Sequence, residues 1–455
     1  MQLPHFKTLR ELYYEFIIPL QIKYRQVEAI GLKVDFEQRK RLDNKYSEQL
    51  KTQHQFLNSI SGKEVNYNSN AHPKGAVPQL IYHHFGCPVR AGVDDNTLQA
   101  LKSNVLRKSG KWSAAIKAID LVIECRKLHK CINTYVRANP DPDGRMRTSY
   151  SLTKETGRTS TQILKPPVRH QKYGMAFQTI TKHAEWSGIG VDIRSMFVPD
   201  DGKIFVEVDG SQAEARVVML LSEEYELLEK MNDPKFDLHV LTSSWLYPKI
   251  FNDMLIDPIN MYFSPEAKKH IMRQRGKKTR HAANYDMGAG ECSLQMRIPI
   301  AIAKICLETF HKFSPKIRGV FHQGVKDCLE RDRILWTPIG RRREFYEKWG
   351  DKLFKEAYAH SPQSVISDLT KWALMNSSNN GITDILMESH DSFTYQIEPE
   401  KLDWSLGITV PYMESEIDFK HCSIPRGILK IPAEVKIYKN NLEIGEGYDK
   451  FRKNK

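Results

Sequence analysis

The sequence KIFVEVDGSQAEARVVMLLS, at residues 203–222, changes from a strand pattern to a helix pattern in its middle. Its first part, 204–208, is almost entirely β-branched or aromatic, which predicts a strand ending at Asp209-Gly210. Apolar residues then recur at helical spacing. A carboxylate at this junction is fixed by rigid elements on both sides, which suits a divalent-metal ligand. The alternative is that Asp209 only caps the following helix.

A second carboxylate lies in ILMESHDSFTYQIE, residues 385–398. Two strand patterns flank His390-Asp391, which predicts that this dipeptide forms the turn of a β-hairpin. If the hairpin joins the sheet of 204–208, Asp209 and Asp391 could hold two divalent ions for in-line phosphoryl displacement. The alternative is that His-Asp is an ordinary turn dipeptide.

A third pattern spaces Arg273, Lys277, His281 and Tyr285 four residues apart. On a helix this spacing aligns the four side chains along one face. Two cations followed by two flat rings suit a nucleoside triphosphate, with cations on the phosphates and rings against the base. A solvated basic helix face is the alternative.

Composition narrows the class of protein. A chain of 455 residues predicts two or three subdomains. The formal net charge of +13 favours a polyanionic partner, with nucleic acid as the first candidate. Seven scattered cysteines without a C-x-x-C pair argue against a zinc site and indicate reduced thiols. The sequence shows no signal-peptide pattern and no apolar run of the roughly 20 residues that a membrane span needs.

The remaining patterns predict an α-rich front, a mixed section, a helical insert and a return to strands. Asp35 is the predicted cap of a new helix after a break at 31–35. The predicted helices cover 1–60, 111–136, 223–332 and 353–376, and the predicted strands cover 145–152, 193–198, 204–208, 382–388, 392–398 and 433–438.

In order and spacing, these segments resemble the family-A DNA polymerases, the bacterial DNA polymerase I family and its phage relatives. DGSQAEAR (209–216) resembles D-Y-S-Q-I-E-L-R, 273–285 resembles R-x3-K-x3-F/Y-x3-Y-G, and SHDSF (389–393) resembles V-H-D-E. Further matches are RMRTSY (145–150), TGRTS (156–160), AFQTI (176–180), DIRSMF (192–197), FDLHVLTS (236–243), GRRR (340–343), SPQSVISDL (361–369) and a front segment over 66–88. The resemblance runs from about residue 15 to about residue 450.

The resemblance implies a mixed α/β (α+β) fold shaped like a right hand, with an antiparallel palm sheet. The helical thumb would cover 1–138, the palm 139–225 and 353–455, and the helical fingers 226–352. The implied function is DNA-directed DNA synthesis, in which dNTPs are added to a primer terminus with two Mg²⁺, or Mn²⁺ in their place. The implied partners are primer–template DNA and dNTPs, with a separately encoded exonuclease or replisome factors. The protein is expected to be a cytoplasmic monomer, in the host cytoplasm if a phage encodes it.

The resemblance also implies roles for individual residues. The metal ligands would be Asp209, Asp391 and the Gly210 carbonyl. Lys277 would contact the triphosphate and donate a proton to the leaving pyrophosphate, and Glu214 would be a steric gate against a ribose 2′-hydroxyl. The other implied dNTP contacts are Arg273, His281, Tyr285, His239 and Gln212, and the implied DNA contacts are Arg158, Gln363, His390 and Arg341.

Several positions depart from the family pattern. Gly210 replaces a tyrosine, which predicts more space beside Glu214 and a looser sugar gate. His281 replaces Phe or Tyr at the sugar position. The other departures are Asp286 for Gly, Ser392 for Glu, Lys355 for Arg and Ala359 for Asn.

The family's proofreading domain is expected to be absent, because only about 15 residues precede the thumb-like helices. The one D-x-E match near the front, Asp35 with Glu37, is read as a helix cap. Two other functions stay open at this stage, a single-subunit RNA polymerase and an inactive DNA-binding scaffold.

Overall fold

The front of the chain is helical, as the sequence predicts. The computed structural model describes residues 1–108, 110–163, 173–180 and 189–453. Asp35 is the predicted cap, because its side chain accepts a 2.9 Å hydrogen bond from the Gln38 N–H. The elements are α1 (Leu9–Glu11), α2 (Ile18–Ile30), β1 (Leu32–Val34), α3 (Phe36–Ser61), α4 (Ala76–Pro78), α5 (Asp95–Asn104) and α6 (Ser113–Lys130), with π-helical turns at Leu12–Ile17, Gln79–His84 and Cys131–Val136.

Two segments that the sequence predicts as continuous strands have a different secondary structure. The first, 145–152, is split because its two halves pair with different strands: Arg145–Met146 with β1, and Ser149–Ser151 with Ser160–Gln162. The second, 193–198, is mostly a 3₁₀ helix over Val191–Met196, and only its last two residues pair with β1. The elements are β2 (Arg145–Met146), β3 (Ser149–Ser151), β4 (Ser160–Gln162), β5 (Phe197–Val198), β6 (Ile204–Gly210) and α7 (Ala213–Leu221).

The next section is helical, apart from a short hairpin that the sequence reading missed. The two strands of the hairpin contain only five residues, too few to show a clear alternation. The elements are α8 (Tyr225–Lys230), α9 (Leu238–Leu246), α10 (Pro248–Phe251), β7 (Leu255–Asp257), β8 (Tyr262–Phe263), α11 (Pro265–Lys269), α12 (Met272–Asn284), α13 (Ala289–Met296), α14 (Ile300–Phe313) and α15 (Gln323–Arg331).

The C-terminal part returns to mixed structure around one long helix. That helix, α16, has 29 residues and is buried along most of its length. The elements are β9 (Ile334–Trp336), β10 (Arg342–Glu344), α16 (Asp351–Asn379), β11 (Ile385–Ser389), β12 (Ser392–Ile397), α17 (Leu402–Met413), β13 (Ile417–Asp418), β14 (Ile428–Leu429), β15 (Ala433–Tyr438), β16 (Glu446–Gly447) and α18 (Tyr448–Lys453).

The main sheet has five strands in the order β11-β12-β6-β15-β16, and every neighbouring pair is antiparallel. Its central strand, β6, is buried on both faces, which explains its nearly continuous apolar sequence. Glu207 is the buried acidic residue of β6, and its carboxylate accepts hydrogen bonds from Tyr438 Oη at 2.6 Å and Ser392 Oγ at 3.1 Å. These bonds satisfy a charged group that would otherwise be costly to bury.

The largest hydrophobic core packs the sheet against α7 and α16 and continues into the helical section. This packing fixes the end of β6, where Asp209 lies, between the sheet and buried helices. Across the residues that the structure describes, no helix combines the length and the hydropathy needed to cross a membrane.

Candidate active site

The register of the sheet brings the two predicted aspartates to the same edge. Asp209 on β6 lies opposite Ser392 on β12, and the Gly210 N–H donates a 3.0 Å hydrogen bond to the Asp391 carbonyl. The two residues are therefore on directly adjacent strand ends. Both line one cleft of about 1220 Å³.

Asp391 lies in the two-residue turn of the predicted hairpin, between β11 and β12. His390 takes a left-handed backbone conformation there, with φ of 51°. The alternative in which Asp209 caps the following helix is wrong, because Gln212 occupies the N-cap position of α7. Asp209 is instead a strand residue whose side chain faces the cleft.

The two carboxylates fit a divalent metal site. Hard oxygen ligands are what Mg²⁺ and Mn²⁺ prefer, and here two of them come from neighbouring strands whose positions are fixed by backbone hydrogen bonds. Glu434 on β15 lies opposite Asp209 on its other side, so the edge carries a third carboxylate. The Gly210 carbonyl stays a predicted ligand.

The basic helix α12 forms another wall of the cleft. Arg273, Lys277 and His281 all line it, four residues apart. Gly276 faces α9 and leaves no room for a side chain, because a Cβ there would lie 2.5 Å from the His239 carbonyl oxygen and 2.8 Å from the Ser243 nitrogen. This close approach of two helices aims the predicted phosphate-binding residues of α12 and α9 at the same space.

Arg273 is anchored by Asp237, the N-cap residue of α9. Its Nε donates to an Asp237 carboxylate oxygen at 2.9 Å, while the same carboxylate accepts the backbone N–H groups of His239 and Val240. Burial opposes ionisation of Asp237, but the attraction of Arg273 and these hydrogen bonds outweigh it, so the Asp237 pKa is lowered.

His239 lies beside this pair and is only 9% exposed. Burial, reinforced by the nearby Arg273 charge, lowers the pKa of His239 to about 3, so the ring is neutral at physiological pH. Its Nδ1 has no hydrogen-bond partner among the described residues, although the side chain lines the cleft. An unpartnered polar atom here is consistent with a bound ligand.

Glu214, the predicted sugar gate, is held by three side chains. Its carboxylate forms an ion pair with Arg158, accepts a 2.9 Å hydrogen bond from Tyr285 Oη, and lies 3.5 Å from His281 Nδ1. Desolvation, together with the charges of Arg158 and Lys277, lowers the pKa of His281. Burial raises the pKa of Tyr285, which keeps the phenol protonated as a donor.

The geometry around Gly210 argues against the looser gate that the sequence suggested. A Cβ at this position would point at Ala213 Cβ, Met413 and Ile431, at 3.1 to 3.6 Å. The nearest neighbours of that Cβ do not include Glu214. Because Glu214 is also braced on three sides, we expect a firm gate.

The charge of Arg341 is paired inside the protein, whereas the resemblance implies that this residue contacts DNA. Its guanidinium donates to both carboxylate oxygens of the fully buried Asp368, at 3.1 and 2.6 Å, and packs beneath Gly157. Lys371 also donates to the Gly157 carbonyl. In this position Arg341 supports the segment that carries Arg158, and a DNA contact by Arg341 itself stays a prediction.

Of the three remaining predicted residues, one lines the cleft and two do not. Gln212 lines it, in a left-handed conformation with φ of 49°, and its Oε1 is buried without a partner among the described residues. Gln363 is half-buried on α16, directly after Pro362. His390 shares the hairpin turn with Asp391.

Sequence reasoning missed several residues that organise the site. Gly276 looked like an ordinary residue of a basic helix, and its close contact depends on the partner helix. Glu388 is fully buried, where it accepts hydrogen bonds from Tyr24 Oη and Thr159 Oγ1. The strand pattern gave no sign of this burial, and it gave no sign that Glu434 would lie opposite Asp209.

Comparison with known proteins points to one family. Residues 36–441 match the model of DNA polymerase family A. The thermostable DNA polymerase I of Thermus thermophilus is 24% identical over 74% of this chain. The DNA polymerase I of Helicobacter pylori strain J99 is 25% identical over 82% of it, and that of Chloroflexus aurantiacus 23% over 99%. This chain spans 38% of the first two relatives and 44% of the third.

A solved structure shares the fold. The POL domain of Pol1 from M. smegmatis, in complex with DNA primer-template and dNTP, superposes with a TM-score of 0.73. The match covers 94% of this chain and 70% of that one, at 20% sequence identity.

Proposed function

This chain belongs to DNA polymerase family A, and from that membership we propose that it is a DNA-directed DNA polymerase. In this proposal it adds dNTPs to the primer terminus of a primer–template duplex. The observation that carries the proposal is the sheet register, which brings Asp209 and Asp391 to adjacent strand ends in a cleft walled by the basic helix α12. The fold supports a thumb over 1–138, a palm over 139–225 and 353–455, and fingers over 226–352.

The proposed cofactor is a pair of divalent ions, Mg²⁺ or Mn²⁺, held by Asp209, Asp391 and the Gly210 carbonyl. When bound, such ions supply charge neutralisation at the phosphates and favour the ionised form of an attacking hydroxyl. The carboxylates fix where that charge is placed, because their backbones are hydrogen-bonded within one sheet.

Residues on α12 and α9 would bind the triphosphate. Arg273 is held in place by Asp237 and presents a fixed positive charge to the cleft. Lys277 is exposed in the cleft and makes no ion pair among the described residues, which suits a mobile group that meets the phosphates. We propose that Lys277 Nζ donates a proton to the leaving pyrophosphate oxygen.

Glu214 and Tyr285 would select the sugar and close the pocket. Glu214 cannot swing away from a ribose 2′-hydroxyl without breaking its contacts with Arg158 and Tyr285. Arg158, Gln363 and His390 are proposed to contact the primer–template. All seven cysteines, which lie in the described part of the chain, are free thiols, consistent with the reducing cytoplasm as the place of action.

A primer-extension assay tests the proposal. Asp209→Asn and Asp391→Asn remove one charge each while preserving shape, and we expect each to abolish extension with duplex binding retained. Glu400→Gln is the matched control, because Glu400 is exposed on a surface outside the cleft. Assays with dNTPs and with rNTPs distinguish a DNA from an RNA polymerase. Undiminished extension by Asp209→Asn would overturn the metal assignment, and absence of extension by the unaltered chain would favour a scaffold.

A further inference from the structure

Thr159 is a buried polar residue that directly follows Arg158, the partner of Glu214. It is only 2% exposed. Its Oγ1 accepts a 2.7 Å hydrogen bond from Gln178 Nε2 and donates to the carboxylate of Glu388, which is fully buried in β11. This hydroxyl therefore joins the loop that carries Arg158 to an edge strand of the main sheet.

The side chain of Arg158 does little to fix its own position. Among the described residues, its guanidinium has one hydrogen-bond partner, Glu214, and its Nε is buried without any. A long side chain with a single partner keeps its place only if its backbone is held, because its rotamers are otherwise free to change. The position of Arg158 against Glu214 therefore depends on the residues on either side of it.

Both neighbours of Arg158 are held by buried groups. The Gly157 carbonyl accepts a 3.1 Å hydrogen bond from Ser367 Oγ and another from Lys371 Nζ, and both donors lie on α16. On the other side, Thr159 is held through its side chain. A substitution can therefore release the second anchor while the contacts of α16 with Gly157 stay in place.

The surroundings of the Thr159 hydroxyl offer no replacement for it. Without it, Gln178 Nε2 and Glu388 Oε2 each lose their shortest hydrogen bond and keep only contacts of 3.3 to 3.4 Å among the described residues. Glu388 Oε1 already lacks a partner in this part of the chain. Buried polar groups left short of hydrogen bonds are costly, so they should shift, and the backbone beside Arg158 should shift with them.

Resting on the proposed function, we propose that Thr159 is a positioning residue for sugar selection, whose hydroxyl holds Arg158 against Glu214. Glu388 is the acceptor that fixes this hydroxyl. Thr159 and Glu388 are too deeply buried to contact a nucleotide, so they act through Arg158. The group selected against is the ribose 2′-hydroxyl of the incoming nucleotide.

Substitution of Thr159 by valine tests this, because it keeps the shape and removes the hydroxyl. We expect Thr159→Val to lower the ratio of kcat/KM for a dNTP and its rNTP by about two- to five-fold. Thr159→Ser keeps the hydroxyl and should retain most of the ratio. A variant that merely loses folded protein lowers both values of kcat/KM by the same factor, so its ratio does not change.

Thr409→Val is the matched control. Thr409 is also fully buried, and its hydroxyl donates a 3.0 Å hydrogen bond to the Ser405 carbonyl in α17, but it does not line the cleft. This variant should keep the ratio of the unaltered chain. Thermal melting of each variant shows whether the fold is intact, and Thr159→Ala, which also lacks the hydroxyl, repeats the test if Thr159→Val does not fold.

A second background shows whether Thr159 acts through the Arg158–Glu214 pair. In a chain that already carries Glu214→Ala, the partner of Arg158 is gone. Adding Thr159→Val to that chain should therefore leave the ratio unchanged.

The outcomes separate this role from the proposed function. The positioning role is overturned if Thr159→Val keeps the ratio of the unaltered chain while Glu214→Ala lowers it, and the proposed function then stands. It is also overturned if Thr159→Val lowers the ratio by the same factor with and without Glu214→Ala, since Thr159 would then act elsewhere. If the unaltered chain extends no primer with dNTPs, the proposed function fails and the positioning role fails with it.

Discussion

At the scale of single residues, Glu214 shows how neighbouring side chains give a carboxylate a fixed position. Tyr285 and His281 approach it from the end of α12, and Arg158 approaches it from a distant part of the chain. A free glutamate side chain samples several rotamers, and each one lost to ordering costs free energy. Here that cost is met on folding, so the carboxylate is already in place for the nucleotide that we propose this site binds.

We expect Glu214→Ala to relax sugar selection by about ten-fold or more, measured as the ratio of kcat/KM for a dNTP and its rNTP. Tyr285→Phe removes only the hydroxyl that donates to Glu214, so its effect on the same ratio should be roughly two- to five-fold. An unchanged ratio in Glu214→Ala would show that the gate lies elsewhere.

Much of the site's chemistry is readable from sequence at this scale, because it depends on local spacing. The spacing of four residues between Arg273, Lys277 and His281 predicts that they share one helix face, and all three line the cleft. Spacing does not reveal partners that are distant in sequence. The resemblance implies a DNA contact for Arg341, and spacing gives no sign that its charge is paired with Asp368 on another element.

At the scale of elements, the contact between α9 and α12 determines where the proposed phosphate-binding groups point. Gly276 allows this close contact between the helices, because an added Cβ would overlap the α9 backbone at His239 and Ser243. A helix forced outward here would carry Arg273 away from Asp237.

We therefore expect Gly276→Ala to raise the KM for dNTPs by about ten-fold, because small displacements of positioning groups are costly. It should also lower the free energy of unfolding by about 1–3 kcal/mol through overpacking. Gly290→Ala is the control: it lies in α13 with nothing within 4 Å of an added Cβ. That variant should be neutral or about 0.5–1 kcal/mol more stable. Equal effects of the two substitutions on KM would contradict the close-contact argument.

The elements themselves were predictable where a periodic pattern is long. The strand at 204–210, the hairpin around His390-Asp391 and the helix capped by Asp35 follow the sequence patterns. Which strands pair is not a local property. The position of Glu434 opposite Asp209 depends on a register set by the whole sheet, and the sequence pattern of β15 does not contain it.

At the scale of the whole molecule, buried histidines make stability depend on pH. His360 is fully buried in α16, and its Nε2 has no partner among the described residues. Burial, with the nearby Arg343 and Arg341 charges, lowers the pKa of His360 to about 3. His239 is lowered to about 3, and His311 and His322 to about 4, also chiefly by burial.

A pKa lowered on folding means that the unfolded chain binds more protons between the folded value and the ordinary value near 6.5. Stability should therefore fall as the pH drops from about 6.5 toward 4. For His360 alone the loss is about 2 kcal/mol at pH 5. We expect the decrease in Tm between pH 7 and pH 5 to be smaller in His360→Gln than in the unaltered chain.

Comparing the two proteins is essential here, because other buried groups contribute to the pH dependence of stability with the opposite sign. Burial raises the pKa of Glu388, for example, so its contribution to stability falls as the pH rises. The difference between variant and unaltered chain cancels such groups. Identical Tm shifts in the two proteins would show that His360 does not titrate on unfolding.

The central place of β6 in the sheet has a consequence for synthesis on the ribosome. Ser392 and Tyr438, which both donate to Glu207, follow it by 185 and 231 residues. At about 5–20 residues per second, this apolar strand waits roughly 10–45 seconds in the nascent polypeptide before both neighbours exist. Chaperones that shield exposed strand edges during translation should therefore increase the yield of this protein, and an abortive product that ends before β12 should aggregate.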